Sequence, residues 1–160
     1  MTGDLNCAGN LHLTSNTGDI TLANQDCAED FEMLGAEEID PGSVVVIDSE
    51  GVLKKSHKAY DRRVAGVISG AGDYKPGIVL GRQRAQGEGK MPVALVGKVY
   101  CKVDAGYSPI EVGDLLTTSP TPGHAMKAQD QVKAFGAVIG KALHSLEVGQ
   151  GLVPILVALQ

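Results

Sequence analysis

The sequence predicts an all-β fold, in which a β-helix-like stalk or arm precedes a duplicated β-barrel or β-clip-like domain with few or no helices. Two observations support this fold class. The 160 residues include 21 Gly and 7 Pro but only 4% aromatic residues, so turns are frequent and large core side chains are few. Apolar residues alternate with polar ones or form short β-branched runs, as strands do. A chain of this length buries enough surface to fold without a metal or a disulfide.

Residues 1–25 form a segment with a pattern of its own. Thr2-Gly3-Asp4-Leu5 recurs as Thr17-Gly18-Asp19-Ile20, and apolar side chains alternate after each copy. Two such rungs cannot close a core, because a repeat of this kind buries its apolar face only against further rungs or other chains. The segment is therefore interpreted as the end of a β-helical stalk, or as an arm that pairs with a neighbouring chain. An ordinary hairpin packed on its own domain is the alternative.

Residues 26–160 are predicted to form one β-rich domain with an internal duplication, about 39–96 and 110–158. The motif IDPGSVV at 39–45 matches IEVGDLL at 110–116, and GVLKK at 51–55 matches GHAMK at 123–127. Farther along, VAGVISG at 64–70 matches AFGAVIG at 134–140, and an apolar strand follows each unit. Two related β units that share one core explain these matches.

The apolar runs at matching places in the two units predict which side chains form the core. A run of this kind is typical of a strand that is buried on at least one face. The predicted core consists of Val44, Val46, Val67, Ile68, Val93, Leu95, Val99, Leu115, Val138, Ile139, Ile155 and Val157.

The densest group of ionisable residues is DCAEDFE at 26–32. Acidic residues at its start predict a short helix from Asp26 to Leu34, with Asp26 as the N-cap and Glu29 at the third position. On such a helix Asp26, Glu29 and Asp30 share a face. Carboxylates this close repel one another, which raises at least one pKa and can create an acid–base pair. A solvated acidic helix start is the alternative.

Two histidines lie near groups with which they can react or bond. Ser119 and His124 suggest a nucleophile and a base, but the match of Gly123 to Gly51 predicts an ordinary hairpin turn here. His57 lies in a basic loop and can bond Asp61, although a surface histidine without a catalytic role is the simpler interpretation.

Composition and spacing argue against several classes of function. The net charge of −5 disfavours nucleic-acid binding, which needs a concentrated basic face. Three cysteines without a CxxC pair predict no metal site, and VAGVISGAGDYKPG lacks the Lys-Ser/Thr pair and the helix of a phosphate loop. No cofactor is expected. The sequence shows no signal peptide and no apolar run long enough to span a membrane, so no membrane partner is expected either.

Several stretches resemble the C-terminal domains of phage neck-appendage and tail-fibre proteins, and related C-terminal domains of bacterial proteins. They include the acidic block at 24–31, PGSVVVIDSEGVL, RRVAGVIS, PVALVGKVYCKVD, GDLLTTS and AVIGKAL, and the resemblance covers the chain from about Ala23 onward. Some members of that family act as self-cleaving intramolecular chaperones. The resemblance implies that Asp26 and Glu29 are the catalytic carboxylates. Cys27 and Asp30 depart from the family pattern, which bears on activity more than on fold.

Three functions follow from these observations. The leading one is a C-terminal assembly cap of a fibre-like protein, a parallel homotrimer whose arm contacts the other chains and an upstream stalk segment. The second is a glutamic-type autoprotease that acts once on its own precursor through Asp26 and Glu29. The third is a glycan-binding tip, which without Trp would need tyrosines for stacking: Tyr60, Tyr74, Tyr100 and Tyr107. The localisation stays open between a phage-like particle and the bacterial cytoplasm before assembly.

Overall fold

A computed structural model describes residues 12, 14, 17–82 and 89–159. Within them the only helical elements are a 3-10 turn at Ala36–Glu38 and a one-turn helix α1 at Gln131–Ala134. The all-β prediction is therefore confirmed. The strands are β1 (Asp26–Glu32), β2 (Val44–Ile47), β3 (Leu53–Lys55), β4 (Val64–Ile68), β5 (Pro76–Leu80), β6 (Lys90–Asp104), β7 (Leu115–Thr118), β8 (Ala125–Lys127), β9 (Val138–Ala142) and β10 (Gln150–Val157).

Five strands close into a barrel. Strand β6 pairs with β10, followed in order by β9, β7 and β8, and β8 returns to β6 through a parallel pairing of Ala125 with Val103. The interior is filled by fully buried side chains such as Leu116, Ile139 and Cys101. Burial raises the pKa of the Cys101 thiol to about 12, so this thiol stays protonated and packs as a small apolar group.

The first unit has an equivalent order of pairings. Strand β1 pairs with β6, followed by β4, β2 and β3, and a single parallel bridge between Leu53 and Met33 returns to the residue after β1. A second cluster of buried side chains, including Val45, Ile68 and Val93, fills this unit. The 15-residue strand β6 thus contributes its first half to one unit and its second half to the other.

Corresponding irregularities occur in the two units. Val45 pairs with Gly66 before a register shift, and Leu116 pairs with Gly140 before a register shift. By this criterion VAGVI at 64–68 in the first unit is equivalent to VIGKA at 138–142 in the second, four residues farther along than the third sequence match. The common pairing order agrees with a duplication, which itself stays a prediction.

Most of the predicted core is confirmed. Ten of its twelve side chains are at most 5% exposed. Leu95 is half-buried and packs against the second cluster, in the first unit. The prediction that Leu115 belongs to the core is wrong, because its side chain is 38% exposed and the fully buried residue is its neighbour Leu116. Adjacent strand residues point to opposite faces, and an apolar pair does not reveal which of its members points inward.

The predicted helix from Asp26 to Leu34 is also wrong. Residues Asp26–Glu32 form β1, which pairs with β5 on one side and with β6 on the other. The backbone hydrogen bonds of two neighbouring strands outweigh the helix-start preference of the acidic residues, since propensity is a weak prior.

Of the two predicted stalk rungs, the first lies outside the described residues. The second lies in an exposed stretch, 17–24, to which the structure assigns no strand.

Candidate functional site

The start of β1 is held tightly between two neighbouring strands. Gln25 donates its backbone N–H to the Lys75 carbonyl at 3.1 Å and accepts from the Lys98 N–H at 3.3 Å. Gly97, opposite Asp26 on β6, has a φ of +109°. A Cβ at this glycine would lie 2.6 Å from the Gln25 carbonyl oxygen. Only glycine therefore allows the backbone to pass here, where the exposed segment 17–24 enters the domain.

This crossing buries the carboxyl group of Asp26. The residue is only 4% exposed, and the Ser69 hydroxyl, in a residue that is 3% exposed, donates a 3.0 Å hydrogen bond to its Oδ1. Oδ2 of Asp26 and the side-chain oxygen of Gln25 are buried without a hydrogen-bond partner among the described residues. Buried polar groups are normally paired, so two unpaired oxygens in adjacent residues mark an unusual site.

The burial changes the acidity of this carboxyl group. Loss of solvation raises the pKa of Asp26 above its ordinary value, and the hydrogen bond from Ser69 offsets only part of this rise. Most other carboxyl groups with a shifted pKa move in the opposite direction. For example, the hydrogen bond from Arg63 lowers the pKa of Asp61. Asp26 therefore holds a proton at higher pH than an exposed aspartate, as a general acid requires.

We expect Asp26→Asn to raise the free energy of unfolding at pH 7 by on the order of 1 kcal/mol, because it removes a poorly solvated charge. With a raised pKa, the folded state binds the proton more tightly than the unfolded state. Wild-type stability should therefore fall as pH rises from the unfolded pKa of 3.8 through the folded pKa. Urea unfolding across this range would show the fall in the wild type and in the control Glu32→Gln. A constant difference between the wild type and Asp26→Asn would contradict the assignment.

The second predicted carboxylate, Glu29, is not brought to Asp26. Residues three apart on a strand point to opposite faces, in agreement with the burial of Asp26 and Ala28 and the partial exposure of Cys27 and Glu29. The residue that does meet Asp26 is Ser69, which sequence analysis missed. The only signal was a hydroxyl at the end of the apolar run GVIS, and a partner 43 positions away cannot be assigned from such a pattern.

The hairpin interpretation of the Ser119–His124 segment is favoured. The Ser119 hydroxyl donates to the backbone oxygens of His124, at 2.9 Å, and of Thr121, at 3.2 Å. The imidazole Nδ1 of His124 contacts the Pro122 carbonyl instead. The side chain of Asp61, which the sequence suggested as a partner of His57, accepts two hydrogen bonds from the Arg63 guanidinium, at 2.9 and 3.1 Å.

The tyrosines predicted for sugar stacking have separate roles. The rings of Tyr74 and Tyr100 contact each other with centroids 4.7 Å apart. The Tyr60 hydroxyl accepts two backbone hydrogen bonds, from Gln129 and Asp130 at 3.1 Å each.

Among the described residues, no cluster of His, Cys, Asp or Glu is arranged to hold a metal ion. No helix in the same residues has the length and apolar character needed to cross a membrane.

The fold is similar to that of solved phage structures. No protein-family model and no curated protein sequence match this chain. The crystal structure of the pre-mature bacteriophage phi29 gene product 12 matches 94% of the chain with a TM-score of 0.66 and 16% identity. The chain spans only 24% of that protein. A C-terminal fragment of the same gene product matches 83% of the chain over 100% of its own length, with a TM-score of 0.56 and 16% identity. At this level of identity the likeness shows a common fold.

Proposed function

We propose that this domain is the C-terminal assembly module of a fibre-like, phage or phage-derived protein, and that it brings three copies of its parent chain together. The observation that carries the proposal is the fold likeness to phi29 gene product 12, whose C-terminal fragment is matched over its whole length. The fold of a free-standing enzyme would more commonly surround a deep pocket. Here a groove of about 660 Å³ in the described part of the chain, lined by residues such as Pro41 and Leu152, is open to solvent.

The segment that enters the domain gives independent support. Ile20 is 69% exposed and Leu22 is 48% exposed, although both belong to the alternating pattern of a predicted strand. Burying such side chains contributes about 1.5–3 kcal/mol each. Neighbouring copies that cover these side chains would supply this energy, and the free energy of assembly would then depend on the arm.

Light scattering on the intact chain tests the proposal. We expect a mass three times the 16.6 kDa of the chain at micromolar concentration. Removing residues 1–22 should lower the mass while preserving the far-ultraviolet spectrum, because this truncation keeps the backbone hydrogen bonds of Gln25. A monomeric intact chain would rule out the assembly function.

A second candidate function, self-cleavage, is favoured by one specific observation. The buried acid Asp26, with its raised pKa, follows the exposed segment 17–24 with only Gln25 between them. In peptide hydrolysis, water adds its oxygen to the carbonyl carbon, the C–N bond breaks and the amine leaves with a proton. Asp26 is suited to deliver that proton, and a second carboxylate must take one from water. Because Glu29 points to the opposite face of β1, we expect it to take part only if assembly brings a Glu29 from another copy to the site.

Mass spectrometry of a precursor that carries its natural upstream segment tests self-cleavage. We expect Asp26→Asn to slow cleavage by about 100-fold or more, the usual contribution of a positioned acid or base. Glu29→Gln should have a comparable effect if the two residues act as a pair. The matched control is Glu32→Gln, which removes an exposed carboxylate from the same strand. Cleavage of Asp26→Asn at the wild-type rate would remove that residue from the mechanism.

A further inference from the structure

Strand β5 is an edge strand with an unusually apolar sequence. Among the described residues it pairs only with β1, so one of its backbone edges faces away from the sheet. Its sequence, PGIVL, contains no charged residue, and Ile78 and Leu80 are 45% and 47% exposed. Proteins usually shorten, charge or cover such an edge, since an exposed apolar edge invites pairing with another strand.

The surface beside this edge is apolar as well. Ile78 on β5 and Val96 on β6 both lie opposite Cys27 of β1. The three side chains form a row across three strands, because directly paired residues share a face and neighbouring strands are about 4.8 Å apart. Val96 is 57% exposed. Edge and row together form an apolar surface where segment 17–24 enters the domain, and Glu29, which pairs with Leu80, borders it.

The same chain contains a strand-like segment without a partner strand. Residues 19–22, DITL, alternate in the manner of a strand and include the exposed Ile20 and Leu22. In the described part of the chain they form no strand pairing. The charge of this segment is compatible with the start of β5: Asp19 is the only charged residue between 17 and 25, and Lys75 directly precedes β5. Arg82, beyond the other end of β5, is paired with Asp30.

We propose that residues 19–22 of one copy add as a strand to the open edge of β5 in a second copy. This inference rests on the proposed assembly function and specifies its contact. Addition of a strand satisfies the backbone groups of the edge and provides places for alternate side chains. Ile20 and Leu22 then cover Ile78 and Leu80. Because the donated segment and the accepting edge are different surfaces, each copy donates once and accepts once, and such contacts close into a ring of three copies when neighbouring copies are related by a three-fold rotation.

Hydrogen–deuterium exchange on the assembled, intact chain tests the contact. We expect the amides of Gly77–Leu80 to exchange at least about tenfold more slowly in the wild type than in Ile20→Asp. The amides of β10 should be unchanged. Ile20 lies outside the folded core, so this variant tests the arm without disturbing the domain. Equal exchange of the β5 amides in an assembled wild type and in Ile20→Asp would overturn the contact and leave the assembly function standing.

A matched pair of substitutions on the accepting side completes the test. Ile78→Asp places a charge on the accepting edge, whereas Phe135→Asp places one at an even more exposed apolar residue, 82% exposed, beside α1. We expect Ile78→Asp to reduce the mass measured by light scattering and Phe135→Asp to leave it unchanged, both with a wild-type far-ultraviolet spectrum. A reduced mass for Phe135→Asp and an unchanged mass for Ile78→Asp would place the interface at Phe135 and not at β5. Protection of β5 in a monomeric wild type would show pairing within one chain and would contradict both proposals.

Discussion

Replacing Gly140 by Ala is expected to lower the free energy of unfolding by about 4 kcal/mol or more, a loss that is exceptional for one methyl group. Gly140 lies in β9, where it pairs with Leu116 of β7 and Val157 of β10. A Cβ at this position would overlap the backbone carbonyl oxygen of Leu156. Backbone atoms cannot yield as a flexible side chain does, so β9 and β10 would have to separate and the barrel would open.

Urea unfolding of Gly140→Ala beside Gly149→Ala measures this effect. Gly149 has a φ of +72° and open space around its Cβ position, so its substitution should cost only about 1–2 kcal/mol for the left-handed backbone. Gly66, which pairs with Val45 in the first unit, has the same constraint, since its Cβ would lie 2.6 Å from the Ala94 carbonyl oxygen. A Gly140→Ala variant no less stable than Gly149→Ala would show that the β9–β10 pair adapts.

Ile139→Ala is expected to cost about 2–5 kcal/mol. Ile139 is fully buried in the larger cluster, beside such side chains as Leu116 and Ile155. Truncation removes three buried carbons and leaves a cavity that a closed barrel cannot collapse to fill, because its strands are tied to neighbours on both sides.

The control for this substitution is Val148→Ala. Val148 is 79% exposed, so its truncation should change the free energy of unfolding by no more than about 0.5 kcal/mol. Both variants are measured by urea unfolding at the same pH. A loss below half a kcal/mol for Ile139→Ala would mean that this side chain does not support the barrel.

At the candidate site, the sequence indicates which segment is rich in ionisable residues but not the conformation of that segment. The acidic segment is visible without a structure as the densest group of ionisable residues, because five such residues lie within seven positions. Its conformation was not predictable. DCAEDFE satisfies the start of a helix and a strand with alternating burial equally well, and the choice depends on whether β5 and β6 lie on either side of it.

The sequence by itself determined the features that depend on neighbours along the chain. The all-β class follows from turn residues and short apolar runs, the hairpin at 119–124 follows from its Pro and Gly residues, and most core positions follow from β-branched runs such as VVVI. Each of these features is decided within a few residues, where backbone sterics and side-chain alternation act.

Only the tertiary structure decided which strands meet. It made Asp26 a buried acid bonded to Ser69 rather than an exposed helix cap, and it turned Leu115 outward while Leu116 points inward. Among the described residues it also left β5 paired on one side only, beside segment 17–24. The physical reason is that solvation and strand pairing depend on groups tens of residues away in sequence, whereas local propensities differ by only about 1 kcal/mol.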